Sequence, residues 1–383
     1  LRASYGIVGN DIVSDGSRFL YLPDSYIIST AGGNNTTGIY SFGSTTNNFL
    51  PGAKESKVGN PDVTWETAAK QNYGVDLHFF DSHLKTSFDY FIEHRKDILI
   101  SRQVNPGYLA ISLPIVNMGK VDNKGFEVTA RWEDAIRDFS YYIGTSWSYA
   151  KNKVIFKDEI PQPYEWMCET GRPVGQQFGY VNDGFFTEED AANYESLKGK
   201  ENGIPDHGSG FSPIAGDVKY KDLNKDGKIT KGKETLYDHG DLKRIGNSSI
   251  RFPYSIDLSL AWNNFDLNVF FQGVGKREFY PGSEAALFWG FYNRYYNPVM
   301  EHHVGNFWTP ENPNAYFPKP RTYMANNKTN ELGVEQTRYL QDASYLRLKT
   351  LTFGYTIPQH LTRKLRIDKL RIFFSGQNLL TFT

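Results

Sequence analysis

The chain has 383 residues, a formal net charge of −1 and a pI near 6.8, and it carries no long Lys/Arg block, so composition argues against a nucleic-acid partner. Its single cysteine, Cys168, excludes an intrachain disulfide. No apolar run approaches the roughly 20 residues of a transmembrane helix; with 15% aromatic residues and 35 glycines, any crossing of a membrane has to be made by strands.

In chain order, "LRASYGIVG" has strand character from its first residue, with no charged leader before it, and reads as the middle of a longer protein. A Gly-, Asn-, Ser- and Thr-rich segment from Gly9 to Ala69 reads as a surface loop. Tyr73, Val75, Leu77 and Phe79 then alternate with polar residues and oppose Phe88, Tyr90 and Ile92 across "DSH". A second hairpin sets Phe126, Val128, Ala130 and Trp132 against Phe139, Tyr141, Ile143, Trp147 and Tyr149 across "EDAIRD". The next long segment, 153–249, holds one predicted helix in "FFTEEDAANYESLKGK", with Thr187 as N-cap and Asp190 at N3 of a capping box. In "YSIDLSLAW", Tyr254, Ile256, Leu258, Leu260 and Trp262 share one face; after the turn Asn263–Asn264, Phe265, Leu267, Val269 and Phe271 continue it. A third long segment, 275–342, precedes a last hairpin that sets Leu351, Phe353, Tyr355 and Ile357 against Leu370, Ile372 and Phe374 across "PQHLTRK".

A soluble β-sandwich would alternate in the same way. Three features favour an antiparallel transmembrane β-barrel. The nine residues Tyr254 to Trp262 match the roughly 9–11 of a tilted membrane strand. The apolar faces also end in Tyr and Trp, and tight turns at one end alternate with very long loops at the other, which is the asymmetry of outer-membrane barrels.

Two stretches suggest sites. In "DLNKDGKIT", Asp222, Asn224 and Asp226 stand at alternate positions, Gly227 can turn sharply, and Lys228 offers a backbone carbonyl. An all-oxygen set of this kind suits a structural calcium ion, but position 12 is Lys233, so Asp238 or Asp241 would have to return to complete it. A plain Asx-rich turn needs the same residues and no metal. The other stretch concentrates Trp289, Tyr292, Tyr295, Tyr296 and Trp308 in one loop. These rings could stack on sugars, form the patch that a lid protein covers, or be the loop's own core. His302 and His303 adjoin Glu301 but would face opposite ways on an extended segment, so they do not read as joint metal ligands. No nucleophile elbow, HExxH or phosphate loop points to an enzyme.

"VGNPDVTWE", "NKGFEVTARWE", "GRPVGQQFGYVNDGFF", "GDVKYKDLNKDGKIT", "DLKRIGNSS", "NVFFQGVGKR", "FWTPENPNAYFPKP" and "YLQDASYLRLKTLTFGYTIP" occur in this order along the chain. Together they resemble the SusC/RagA-like TonB-linked outer-membrane proteins. The resemblance implies that residues 1–383 are part of a plugged barrel of roughly 22 strands, with the plug, the TonB box and the last strands expected outside this stretch. It further implies the outer membrane of a Gram-negative bacterium, contact with its lipid, and import of oligosaccharides or peptides energised by TonB. A SusD-like surface lipoprotein is expected to rest on loops 153–249 and 275–342. The residues alone leave open a passive porin of the same class, or a soluble calcium-dependent carbohydrate-binding β-protein.

Overall fold

The computed structural model describes residues 1–11, 20–22, 59–102, 113–159, 168–208, 211–232, 240–282, 285–294, 296–321, 332 and 334–383. It also gives the backbone alone of 25–28, 39–41, 49–51 and 53–57. Nine strands form one sheet: β1 Arg2–Asn10, β2 Glu66–Phe79, β3 Leu84–Ser101, β4 Ile115–Ile136, β5 Phe139–Phe156, β6 Pro253–Trp262, β7 Phe265–Val274, β8 Tyr345–Ile357 and β9 Leu370–Phe382. Each pairs antiparallel with its chain neighbours, so the sheet is an up-and-down meander, open at β1 and β9.

All four predicted hairpins are present and join strands at one end of the sheet. Three of their turns are short because single residues accept a left-handed backbone there, and the fourth, residues 358–369, holds a short helical turn. Asn263 has φ 53° and Arg137 φ 55°, while Phe80, Asp81 and Ser82 lie at 56°, 52° and 71°. For Phe80, a bulky residue, that conformation is unusual; its ring packs 5.8 Å from Trp132.

The register divides the sheet into two chemically distinct faces. Ile143, Leu258, Val269 and Leu351 are directly paired neighbours on four consecutive strands and form one apolar row. One residue further along, Tyr142, Ser259, Asn268, Thr352 and Ser375 form the corresponding polar row on the opposite face. The apolar face is exposed rather than covered: Tyr73, Phe88, Ile143, Trp147, Ile256, Phe353 and Ile372 all stand open. A sandwich would bury that face against a second sheet; here it faces outward as a barrel's lipid face does. Aromatic residues bound it at both ends. At the turn end lie Phe79, Trp132, Tyr141, Trp262, Phe265 and Tyr355; at the loop end Phe126, Tyr149 and Phe252 stack with centroids 5.8 and 5.6 Å apart. From Phe139 to Tyr149 the strand climbs ten residues, about 25 Å along the membrane normal at a tilt near 40°, which matches the thickness of a barrel's apolar band.

The compact core lies elsewhere. Tyr180, Val218, Tyr220 and Ile229, from the β5–β6 connection, pack with Tyr280, Trp289, Tyr292, Phe317, Leu332 and Tyr339 from the β7–β8 connection. The two long loops are therefore one folded lobe beyond the strand ends.

Candidate functional site

Two surfaces carry the chemistry: the polar face of the sheet and the lobe above it. On the polar face, side chains bond across strands. Ser146 and Ser255 hydroxyls lie 2.6 Å apart, Ser259 donates to Asn268 at 2.7 Å, and Thr352 and Ser375 are 3.1 Å apart. Ion pairs punctuate this ladder: Arg2 with Asp76 and Asp89 (2.9 and 2.8 Å), Arg95 with Glu66 and Glu93 (both 2.7 Å), and Arg371 with Asp266. Near the turns, Glu133 accepts from Lys85 and pairs with Arg131 at 2.9 Å, and Arg131 lies 4.4 Å over the Tyr142 ring. A cavity of about 500 Å³ opens there, lined by Lys85, Glu133, Tyr142 and Ser259. A face so rich in hydrogen-bonding groups suits contact with water, polar protein or polar solute, and does not suit lipid.

The lobe is joined by backbone as well as by rings. Tyr180 N–H donates to Glu335 O at 2.9 Å and Thr337 N–H to Tyr180 O at 3.0 Å; Lys319 N–H reaches Gly216 O at 2.9 Å. Asp217, buried, accepts from Ile214 N–H at 2.9 Å and pairs with Arg321 from the other loop. Burial pushes its carboxyl upward, while the Ile214 N–H and the Arg321 guanidinium oppose that shift. Arg338 lies 4.0 Å over Phe185 and donates to Tyr316 O at 2.9 Å. The helix α1, Glu188–Leu197, starts with the predicted capping box: Thr187 Oγ1 accepts from Asp190 N–H at 3.0 Å and Asp190 accepts from Thr187 N–H at 3.1 Å. Its Tyr194 packs in a satellite cluster with Phe186, Ile204 and Phe211. His207 joins that cluster to the main core. Its ring stacks 4.9 Å from Phe211 and 5.5 Å from Tyr220, and burial lowers its pKa to about 4.

This arrangement corrects one sequence expectation. Trp289 and Tyr292 are 0% exposed and Trp308 is 6% exposed, so of the three open roles for the aromatic loop they take that of its own core and offer no stacking platform. Tyr292 donates its hydroxyl to Pro318 O at 2.5 Å and Trp289 Nε1–H to Gly282 O at 2.9 Å. Tyr296 is 68% exposed; Tyr295 lies outside the described residues. Residues Glu301–His303 form a 3₁₀ turn instead of an extended segment, which brings the His302 and His303 rings together on Phe288 O at 3.0 and 2.9 Å.

The Asp222–Lys228 turn is closed by its own backbone. Asp222 accepts from Lys225 N–H at 2.5 Å and Gly227 N–H at 2.7 Å, Asn224 Oδ1 from Asp226 N–H at 3.0 Å, and Asp226 Oδ1 from Lys228 N–H at 2.8 Å. Asp241 does return to the turn. Fully buried, it accepts from Leu223 and Thr230 N–H at 2.7 and 2.9 Å, and desolvation carries its pKa up to about 6. Asp238 lies outside the described residues. Among the described residues no group of three or more His, Cys, Asp or Glu converges as a metal-ligand set. A cleft of about 800 Å³ runs beside this turn, between it and the Gly199–Pro205 segment.

Residues 25–269 match the family described as TonB dependent receptor-like, beta-barrel. The chain belongs to that family. Three TonB-dependent receptors of Formosa agariphila, P3, P39 and P26, are 28%, 26% and 23% identical over all of this chain. The chain spans about a third of their length, 34%, 36% and 35% respectively. Among solved structures, the RagAB peptide importer in its open-open state aligns over 100% of this chain and 36% of its own, at 18% identity and a TM-score of 0.63. At that identity the likeness concerns fold alone: this TonB-dependent receptor barrel is a partial, nine-stranded stretch of an antiparallel membrane barrel, polar face inward. The SusC/RagA-like resemblance is thereby borne out at the level of the family.

Proposed function

We propose that this chain is wall and loop lobe of an outer-membrane importer in a Gram-negative bacterium, energised through TonB, that takes up oligosaccharides or peptides with a SusD-like lipoprotein seated on loops 153–249 and 275–342. The observation that carries this is the pairing of a hydrogen-bonding inner face with a rigid lobe folded from two loops, in a chain of the TonB-dependent receptor family. Similarity to the RagAB peptide importer supports a peptide-sized solute. Among the described residues the polar face is largely a ladder of paired groups, the arrangement of a pore wall.

The test is uptake by cells carrying the full-length gene, with labelled peptides and oligosaccharides, before and after collapse of the proton-motive force. Import that stops on collapse supports the proposal; solute flux that persists makes the protein a passive porin. Mild detergent extraction should bring down a lipoprotein partner. Release into buffer without detergent would return the soluble carbohydrate-binding reading.

A further inference from the structure

The 3₁₀ turn Glu301–His303 sets a ring into the lobe that holds its place only while neutral. His303 is 0% exposed, and both of its nitrogens are engaged. Met300 N–H donates to Nδ1 at 3.0 Å, and Nε2 lies 2.9 Å from Phe288 O. A backbone N–H can only donate and a carbonyl can only accept. Nδ1 therefore presents its lone pair, Nε2 carries the proton, and the ring is neutral. It sits among Phe291, Tyr292 and Phe317, at centroid distances of 5.3, 5.8 and 4.8 Å. Gly290, at φ 52°, leaves the space for it, since a Cβ there would stand 2.6 Å from His303 Cε1. The following chain is held through this anchor by single backbone bonds: Val304 N–H to Glu301 O at 3.1 Å, Asn306 N–H to His303 O at 3.0 Å, and Phe317 N–H to Asn306 O at 2.8 Å.

This seat does not accept a charged ring. A proton on Nδ1 would point at the Met300 N–H, so that a hydrogen bond becomes two opposed donors, and the buried cation would lack a counter-charge. The titratable groups around it are His302, whose Nε2 lies 3.0 Å from the same Phe288 O, and Tyr292, whose hydroxyl donates to Pro318 O. Glu301 is exposed, and among the described residues no carboxylate pairs with either imidazole. A charge on His302, its ring 4.1 Å away, would repel a second on His303. Burial above all, with His302, holds the His303 pKa below the ordinary 6.5, against the opposing pull of the Phe288 carbonyl. A histidine depressed in this way contributes its full stabilisation above pH 6.5 and loses it as pH falls below that value. Once the ring leaves, the bonds of Asn306 and Phe317 lose their anchor, and the pocket between Phe291, Tyr292 and Phe317 opens beside Val304, itself 67% exposed.

We propose that His303 is an acid-released clasp: neutral, it fastens residues 300–306 to the lobe core, and charged, it frees them, so that the surface of the loop 275–342 changes with the acidity of the medium. This goes beyond the importer reading and holds whatever solute the barrel carries. The test is hydrogen exchange read by mass spectrometry on full-length protein in nanodiscs, from about pH 7.5 to about 4.5, with rates corrected for the intrinsic pH dependence of exchange. It is run in His207→Phe, which removes the other acid-sensitive ring of the lobe. Protection of residues 300–306 should fall about tenfold for each pH unit below 6.5, while Glu188–Leu197 stays level. His303→Asn, whose side-chain oxygen can still accept from Met300 N–H and takes up no proton in this range, should flatten the response; His302→Gln should keep it. If His303→Asn fails to hold the lobe folded, seen as lost protection of Glu188–Leu197 at neutral pH, the series in His207→Phe decides alone. Protection of residues 300–306 that is level with pH, that falls only in step with Glu188–Leu197, that still falls in a folded His303→Asn, or that stops responding in His302→Gln overturns the proposal.

Discussion

Arginine placed at Leu258 and at Ser259 should behave as though the two positions were in different solvents. Leu258 sits in the apolar row with Ile143, Val269 and Leu351, four residues from Trp262 at the turn-end belt and six from Phe252 at the other. Along a strand tilted near 40° those intervals are about 10 and 15 Å, which puts Leu258 close to the middle of the band. Leu258→Arg should then cost roughly 2–4 kcal/mol of barrel stability. Ser259 occupies the polar row, bonded to Asn268 at 2.7 Å and flanked by Tyr142. Ser259→Arg loses that one bond, about 1 kcal/mol, and leaves its charge among polar groups. The assay is a urea titration of full-length protein in vesicles, read by the folded and unfolded bands on an unheated gel. Equal losses, or a larger loss at Ser259, would refute the assignment of the two faces.

Three further outcomes follow from the lobe. Trp289→Ala, which empties the centre of its core, should cost about 3–5 kcal/mol and expose both long loops to protease together, whereas Tyr296→Ala at the open surface should change protease resistance little. His207 is held neutral, with its pKa near 4 against an ordinary 6.5, while adjacent Asp206 favours its charged form and Lys219 opposes it. Its contribution is therefore complete above pH 6.5 and is lost as pH falls toward 4, amounting to roughly 2 kcal/mol lost at pH 5. Hydrogen exchange in Glu188–Leu197 should accelerate over that interval in the wild type and not in His207→Phe. For the Asp222–Lys228 turn, Asp222 accepts from Lys225 and Gly227 N–H, so Asp222→Ala should raise proteolysis there with or without calcium; protection of the wild type that appears with added calcium and is lost on chelation would show that the turn holds the ion.

Much of the sheet was legible because a strand of period 2 between a polar and an apolar medium has to alternate, and residues 254–262 do so without a break. Strand lengths were harder to read. β3 and β4 run on for 18 and 22 residues, past the apolar band, and there consecutive apolar residues such as Ile98, Leu99 and Ile100, or Ile115 and Val116, fall on both faces and the alternation gives no signal. The capping box at Thr187 was legible because it is local. The fate of the aromatic loop was not: whether Trp289 is a platform or a core residue depends on Tyr180, Val218 and Tyr220, more than 60 residues earlier. Likewise nothing local marks His207, whose burial comes from Phe211 on one side and Tyr220 on the other.

The shared core also constrains how this wall is made. Tyr180 and Glu335 bond across 155 residues, and β6 and β7 lie between them in the chain. The first loop therefore cannot complete its interior until the second has folded beside it. Until the second loop arrives, Tyr180, Val218 and Tyr220 are exposed apolar surface. Assembly of this barrel thus has a step at which an unfinished loop must be kept from aggregating, and a graft that moves either loop alone into another barrel would stall the product there.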